Sequence, residues 1–544
     1  MMNLTFQIIF VAVVLVYMLI ALMRECLRPG LILFTAVVML LCAGIINPEE
    51  ALKGFSNKGM ITVALLYLVS EGVRKSGLLE RIVYRVLPTK NVSVTRANLR
   101  FYPIVSLISA FFNNTPVVVI FAPMIKNWAR KMKLPPTKFL IPLSYATVIG
   151  GICTLIGTTT NLVLHGMLLQ EHKDEVKAAT EGATEGILMR FGIDGMHMFE
   201  LSKVGIIIAS VGLIYLIFFS RYLLPDSRKA EEEAEEMDIA PGMIRHEIML
   251  GNRFPGLGKT LHEFDFFRRY GAHVRAISRG GQILEGNFMN MRMSHDDTLI
   301  VDAPEDFRKT WKDSKVFWMI NRLGENEPPM GSKKRFFALA LLIFMIIGAT
   351  VGELPIVTDN FKFIKLDMFF FACVTTIIMA WTRMFSPRKY TKYLSWDVLI
   401  TIACAFAIST AMTKSGFAEF VGGYIISLTD SVQGSRWSIY FILAALFLIT
   451  NIFTELITNN AAAALAFPLA LSVAEELNVN PMPFIVCICF AASSAFSTPI
   501  GYQTNLIVQG IGGYKFTDFV KVGLPMNLIV FILSVFLIPL IYGM

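Results

Sequence analysis

The chain has 544 residues, of which 55% are hydrophobic and only 17% charged, against roughly 25% charged in an average soluble domain. This balance excludes an ordinary cytosolic enzyme, a disordered protein and a collagen-like chain. The net charge of +8 would suggest nucleic acid in a soluble protein; in a membrane protein, surplus Lys and Arg mark cytoplasmic loops, and no nucleic-acid partner is expected.

A helix needs about 20 apolar residues to cross a bilayer. Candidate runs lie at 4–23, 30–46, 59–73, 101–125, 139–165, 203–224, 335–352, 366–382, 397–412, 438–475, 482–509 and 521–543. The first, Leu4 to Met23, is too long for a signal h-region and lacks a basic n-region, so no cleavable leader is expected. The run 101–125 is interrupted by Asn113-Asn114-Thr115-Pro116, and 438–475 by Thr458-Asn459-Asn460. Amides and a proline at those points free backbone groups that lipid cannot satisfy. Seven cysteines (Cys26, Cys42, Cys153, Cys373, Cys404, Cys487, Cys489) form no CxxC and lie mostly in apolar runs. They read as small core residues.

Charge sets the expected orientation. The 74–100 segment, with Arg74, Lys75, Arg81, Arg85, Lys90, Arg96 and Arg100, should face the cytoplasm, as should Lys126–Lys131, Arg383 and Arg388-Lys389. The acidic 166–200 loop (Glu171, Asp174, Glu175, Glu181, Glu185, Asp194, Glu200) should lie outside. Both flanks of 101–125 are then cytoplasmic, so that run enters and returns as a re-entrant hairpin. By the same logic 438–475 is a hairpin from outside. The expected fold is a polytopic all-α membrane protein with five spans plus one hairpin per half and both termini outside.

The halves repeat each other. Pro48 matches Pro387, Lys75-Ser76-Gly77 matches Lys414-Ser415-Gly416, and Asn113-Asn114-Thr115 matches Thr458-Asn459-Asn460, with Pro123 opposite Pro468. Gly157-Thr158-Thr159-Thr160-Asn161 matches Gly501-Tyr502-Gln503-Thr504-Asn505, and the offset drifts only from 339 to 345. Four ordered matches at near-constant spacing are a strong repeat signal. The charge reading puts Lys75 inside and Lys414 outside, so the repeats, residues 1–225 and 334–544, are inverted. Inverted repeats broken at matching positions point to a secondary transporter and its binding site. Helix N-termini at the breaks suit an anion; unwound carbonyls, amides and hydroxyls suit Na⁺. Gly157 and Gly501 would permit tight bends and close backbone approach. Taken singly, each Asn reads as a helix cap or interhelical glue; two matched tips with two matched loops read as a site. Glu455, in the second hairpin, is an intramembrane acid able to tune a cation or carry a proton. Glu71 reads as an i,i+3 or i,i+4 partner of Arg74 and Lys75, Asp397 as a helix N-terminal charge, and His165 as interfacial.

These residues resemble the divalent anion–sodium symporter family, which has inverted repeats with a hairpin in each and Ser-Asn-Thr at each tip. Here the tips keep the central Asn but read Asn113-Asn114-Thr115 and Thr458-Asn459-Asn460. The family's Gly/Ala-x-Pro-Pro-Asn loops appear without their prolines. The resemblance implies one sodium site from Ser109, Asn113, Asn114 and Gly157, and a second from Thr454, Thr458, Asn459 and Gly501. It implies an anion between Asn114, Thr115, Asn459 and Asn460, with Thr159 and Gln503 replacing prolines that face it. The run Ser497–Asn505 resembles the family's sulfate-linked branch. The expectation is a sodium-coupled symporter of a divalent anion, sulfate first, with dicarboxylate or citrate symport as the alternative and a ligand-gated anion channel behind it. A multi-pass protein of the bacterial inner membrane, assembled as a homodimer, is implied.

Between 226 and 333 the composition turns soluble, opening on the charge run Arg228–Glu233, with linkers near 226–240 and 321–334. Strands are expected at 245–250, 273–279 and 298–301. The Gly258-Lys259-Thr260 end is P-loop-like, but the opening glycine falls on Arg253, so that match fails. As a set, 241–310 resembles a TrkA-C (RCK C-terminal) domain, a small cytoplasmic α/β module, which implies dimerisation or sensing of a small-molecule ligand; a passive structural insert is the alternative. No HExxH, GxSxG or Walker A run is present, and no TVGYG-like filter; the chain is not expected to be an enzyme.

Overall fold

The computed structural model describes residues 4–24, 27–88, 93–182, 184–226, 243–251, 253–279, 282–283, 288–295, 297–304, 306–311, 314, 316–322, 332–354, 356–357, 365–385, 387, 390–427 and 437–544. Cys26, Lys90, the 228–233 charge run, Gly280, Gly281, Asp296, Arg388 and Lys389 lie outside them.

The first half contains α1 (Leu4–Met23), α2 (Pro29–Cys42), α3 (Lys58–Ser76), α4 (Val94–Ser109), α5 (Asn114–Lys131), α6 (Leu140–Gly151), α7 (Thr159–Thr180) and α8 (Ser202–Phe218). The second contains α9 (Ser332–Gly352), α10 (Met368–Trp381), α11 (Trp396–Lys414), α12 (Phe417–Ser427), α13 (Trp437–Leu456), α14 (Asn459–Leu477), α15 (Met482–Ser493), α16 (Gln503–Gly512) and α17 (Phe516–Tyr542). Among the described residues, six helices (α1, a stretch of α9, α11, α13, α14 and α17) are long and apolar enough to cross a membrane. Together with shorter apolar helices they make a multi-pass bundle.

Breaks fall where amides and glycines interrupt the apolar runs. Run 101–125 divides into α4 and α5 around residues 110–113, and 438–475 into α13 and α14 around 457–458. Runs 139–165 and 482–509 are not single spans: each is two helices joined by an irregular segment, 152–158 and 494–502. The acidic 166–200 stretch is not all loop, because α7 continues to Thr180.

Equivalent helices pair in equivalent ways. Helix α2 packs on α11 and α10 on α3; α4 packs on α6 and α13 on α15; α5 packs on α16 and α14 on α7. Left-handed backbone recurs too, at Gly44 and Arg383, at Gly77 and Gly416, and at Lys133 and Asn478. Lys133 and Arg383 adopt it with side chains that ordinarily disfavour positive φ, whereas Asn478 is of a type that tolerates it. One continuous buried cluster joins both halves.

Residues 243–322 form a five-stranded antiparallel sheet with short helices. Its strands are β1 (Ile244–Leu250), β2 (His273–Arg279), β3 (Gln282–Ile283), β4 (Thr298–Ala303) and β5 (Phe317–Arg322), in the order β3-β2-β4-β1-β5. Strand β5 pairs with β1, so the folded unit runs past residue 310 and takes in the start of the expected 321–334 linker. Period-two alternation gives the sheet two faces. Ile248, Leu250, Leu299 and Val301 enter the unit's own core, whereas Met249 joins the buried cluster of the membrane helices. On that same second face, Glu247 meets Lys126 of α5 at 3.0 Å. Lys126 is 1% exposed and also donates to the Ile511 carbonyl, near the end of α16, at 2.6 Å.

Candidate functional site

Four helices begin within one neighbourhood: α5 at Asn114, α7 at Thr159, α14 at Asn459 and α16 at Gln503. An α-helix leaves its first N–H groups without intrahelical partners, and a capping side chain usually takes one. Asn57 does so for α3 and Asp367 for α10. None of the four converging helices has a side-chain cap: Asn113, Thr158, Thr458 and Tyr502 stand at the cap positions without making that bond. Free N–H groups and the partial positive charge of each helix end are therefore gathered where the breaks meet.

The tips are shaped by hydrogen bonds that occur twice. Ser109 Oγ donates to Asn114 Oδ1 at 2.7 Å, and Thr454 Oγ1 lies 2.9 Å from Asn459 Oδ1. Gly157 N donates to Thr154 Oγ1 at 3.2 Å and Gly501 N to Thr498 Oγ1 at 3.0 Å. Asn161 Nδ2 donates to the Thr154 carbonyl at 2.9 Å, and Asn505 Nδ2 to the Thr498 carbonyl at 3.0 Å. Thr154 bonds the Ala110 carbonyl, while Thr498 Oγ1 reaches the matching Glu455 carbonyl at 3.4 Å. The same short polar circuit thus folds each hairpin onto its own unwound segment.

Other bonds cross between the halves. Thr115 Oγ1 donates to Gln503 Oε1 at 3.4 Å. Thr159 Oγ1 and Thr160 Oγ1 each reach Asn460 Oδ1 at 3.2 Å. Ser144 Oγ lies 2.7 Å from Asn505 Oδ1. Asn114 Nδ2 donates to Tyr502 Oη at 2.7 Å, and Tyr502 Oη lies 3.2 Å from Thr158 Oγ1. Every partner in this circuit is an amide, a hydroxyl or a backbone group, apart from Glu455. Its carboxylate accepts from Ser497 N at 2.8 Å, Thr498 Oγ1 at 2.7 Å and Asn527 Nδ2 at 2.8 Å.

The donor chemistry fits a hard cation, which favours oxygen ligands. Around Ser109, Asn114 and Gly157 stand the carbonyls of Ala110 and Gly151. Around Thr454, Asn459 and Gly501 stand the Ala492 carbonyl and the Glu455 carboxylate. Two oxygens beside these sets, Asn161 Oδ1 and Thr458 Oγ1, are buried with no hydrogen-bond partner, an arrangement that ordinarily calls for a bound ion or water. Gly157 and Gly501 are needed for space rather than for a special dihedral, since neither has positive φ. A Cβ on Gly157 would come within 2.4 Å of the Gly151 carbonyl, and one on Gly501 within 2.8 Å of Ala495 Cβ.

The residues singled out for the anion and the two sodium sites lie in this neighbourhood, though not each as expected. Asn114 and Asn459 are buried, with their amide oxygens already held by Ser109 and Thr454. Thr115, Thr159 and Gln503 are more accessible and link the halves, while Asn113 and Thr458 stand as cap residues without a capping bond. Sequence reasoning missed Tyr502, Thr154, Thr498 and Ser144. Tyr502 was visible only as the partner of Thr158 in the repeat and as one residue of the Ser497–Asn505 run. Elsewhere, Glu71 pairs with Arg74 at 2.7 Å and Lys75 at 3.4 Å. Asp397 accepts from Gly30 N at 3.1 Å, so it serves the start of α2 as well as its own helix.

A family model described as "Citrate transporter", CitMHS, matches residues 17–366 and 361–544. The chain belongs to the CitMHS citrate transporter family. It is therefore a transporter, not an enzyme, and an integral multi-pass membrane protein. Similar to this CitMHS chain is an uncharacterized transporter, sll0640, of Synechocystis, 26% identical over 99% of this chain and 98% of that one. A probable sodium/sulfate cotransporter 3 of Chlamydomonas reinhardtii is 21% identical over 91% and 84%. The sodium-dependent dicarboxylate transporter SdcS of Staphylococcus saprophyticus is 21% identical over 93% and 82%. The resemblance drawn from the tips was to sodium-coupled anion symporters, and the names of the latter two relatives agree with it.

Proposed function

We propose that this CitMHS protein is a sodium-coupled symporter of a divalent anion, with sulfate as its first substrate. The observation that carries the reading is the meeting of four uncapped helix N-termini, two from each half, amid amides and hydroxyls. Such a site holds a dianion by dipoles and N–H groups without a fixed basic side chain. Sodium ions in the two oxygen sets, Ser109/Asn113/Asn114/Gly157 and Thr454/Thr458/Asn459/Gly501, would offset the anion's charge. Each ligand then raises the affinity of the other, which is the thermodynamic content of coupling. The recurrent helix pairs, left-handed residues and hydrogen-bond circuits support two inverted repeats, and the basic segments support a cytoplasmic insert.

Sulfate is favoured by the sodium/sulfate cotransporter relative. Dicarboxylate or citrate symport is the second reading, favoured by the family's description and by SdcS. Uptake into proteoliposomes tests both. Labelled sulfate should accumulate and saturate only with an inward sodium gradient. Succinate, citrate, thiosulfate and molybdate, added as competitors, rank the anions. Uptake that ignores sodium overturns the coupling, and electrodiffusive current without accumulation would mark a channel.

A further inference from the structure

Tyr502 breaks the symmetry at the centre of the site. It occupies the position that Thr158 holds in the first half, and the two touch, Oη to Oγ1, at 3.2 Å. Equivalent residues can meet only at the axis relating two halves, so this contact marks the middle of the site. The Tyr502 ring is half-buried and packs on the membrane core. Its oxygen accepts from Asn114 Nδ2 at 2.7 Å, and with Thr158 Oγ1 as the donor in their 3.2 Å contact its own proton is left to give to a bound anion. The equivalent amide, Asn459 Nδ2, makes no such bond among the described residues.

A sulfate dianion only accepts hydrogen bonds, as does a dicarboxylate. The two differ in shape: sulfate is compact, whereas a dicarboxylate needs length between its charged ends. A phenol ring at the axis removes that length from the first-half side, and its hydroxyl adds a donor. We infer that Tyr502 is a specificity-determining residue, donating its hydroxyl proton to a compact tetrahedral oxyanion and sterically excluding extended dicarboxylates. The anion accordingly sits toward Asn459, Asn460 and the starts of α7 and α14. This inference rests on the symporter reading above.

The experiment measures sodium-driven uptake of labelled sulfate by wild type, Tyr502→Phe and Tyr502→Thr, each with and without excess succinate. Wild type should take up sulfate and ignore succinate. Tyr502→Phe keeps the ring and loses the donor, so KM for sulfate should rise about tenfold or more, as for loss of a hydrogen bond to a charged group. The sodium concentration for half-maximal uptake should stay the same. Tyr502→Thr copies Thr158 and should make succinate an effective competitor. Wild-type sulfate uptake with KM unchanged in Tyr502→Phe overturns the donor role. Succinate still without effect on an active Tyr502→Thr overturns the exclusion. If Tyr502→Thr fails to fold, Tyr502→Phe alone decides. No sodium-driven sulfate uptake by wild type overturns the parent reading and this inference together.

Discussion

The two halves of the site share a scaffold and differ in what stands on it. Ser109–Asn114 and Thr454–Asn459, Thr154–Gly157 and Thr498–Gly501, Asn161–Thr154 and Asn505–Thr498 are bonded alike. At two matched positions the chemistry diverges. Ala110 faces Thr154 with only a backbone carbonyl, whereas Glu455 adds a carboxylate to Thr498. Thr158 is small where Tyr502 is a phenol. The shared bonds create the folded tips, and both departures fall in the second half, where the proposed reading has Glu455 strengthen a cation site and Tyr502 shape the anion space.

The comparison breaks most completely at its shared element. Asn114→Ala and Asn459→Ala each remove an amide that both bends a tip and faces the site. Uptake should fall at least about 100-fold in each, as when a group acting through several partners is lost, with membrane expression retained. Normal uptake in both would remove the proposed sites.

A smaller effect should appear on one side only. Glu455→Gln keeps the shape and deletes the charge. The sodium concentration for half-maximal uptake should rise about tenfold, the effect of roughly 1.4 kcal/mol of lost attraction, with KM for sulfate changed less at saturating sodium. An unchanged sodium titration would reduce Glu455 to a scaffold role.

Next comes the contact between the sheet and the membrane helices. Glu247→Ala takes one carboxylate away from the buried Lys126 ammonium, and breaking such a pair costs about 3–5 kcal/mol. The melting temperature of the purified protein should drop clearly, while Lys126→Met with Glu247→Met should recover most of it. An unaltered melt in Glu247→Ala would show that the sheet does not dock as described.

The smallest effect lies at the far end of α7, beyond its apolar part. Burial, then the nearby carboxylates of Asp174 and Glu175, raises the pKa of Glu171 to about 7. Its folded-state value exceeds its unfolded one, so the folded protein holds the extra proton and loses stability as pH rises from the ordinary carboxylate range to about 7. Glu171→Gln should therefore raise the melting temperature modestly above pH 7 and leave it alone near pH 4. Equal shifts at both pH values would refute the burial.

Much of this architecture was legible because it is written twice. A single Asn in an apolar run is ambiguous, whereas Asn114 and Asn459 at matching places read together as a break in each half. The interruptions at 110–113 and 457–458 were visible as polar residues that lipid cannot accommodate. The breaks at 152–158 and 494–502 were legible only as glycine–asparagine words, because Ile152, Cys153, Leu155, Ile156 and Ala495–Phe496 are apolar and extend the hydrophobic signal through an irregular segment. Strand β5 was missed because Val316-Phe317-Trp318-Met319-Ile320 does not alternate. Tyr502 escaped because a tyrosine in a membrane run reads as packing; only its bond to Asn114 reveals a polar role.

Lys126 carries a consequence for biogenesis. Its partners Glu247 and Ile511 are 121 and 385 residues further along the chain, so both are still unmade when α5 leaves the ribosome. Neither contact can form until the sheet and α16 have been made. The final seating of α5 is thereby tied to a segment made 385 residues later.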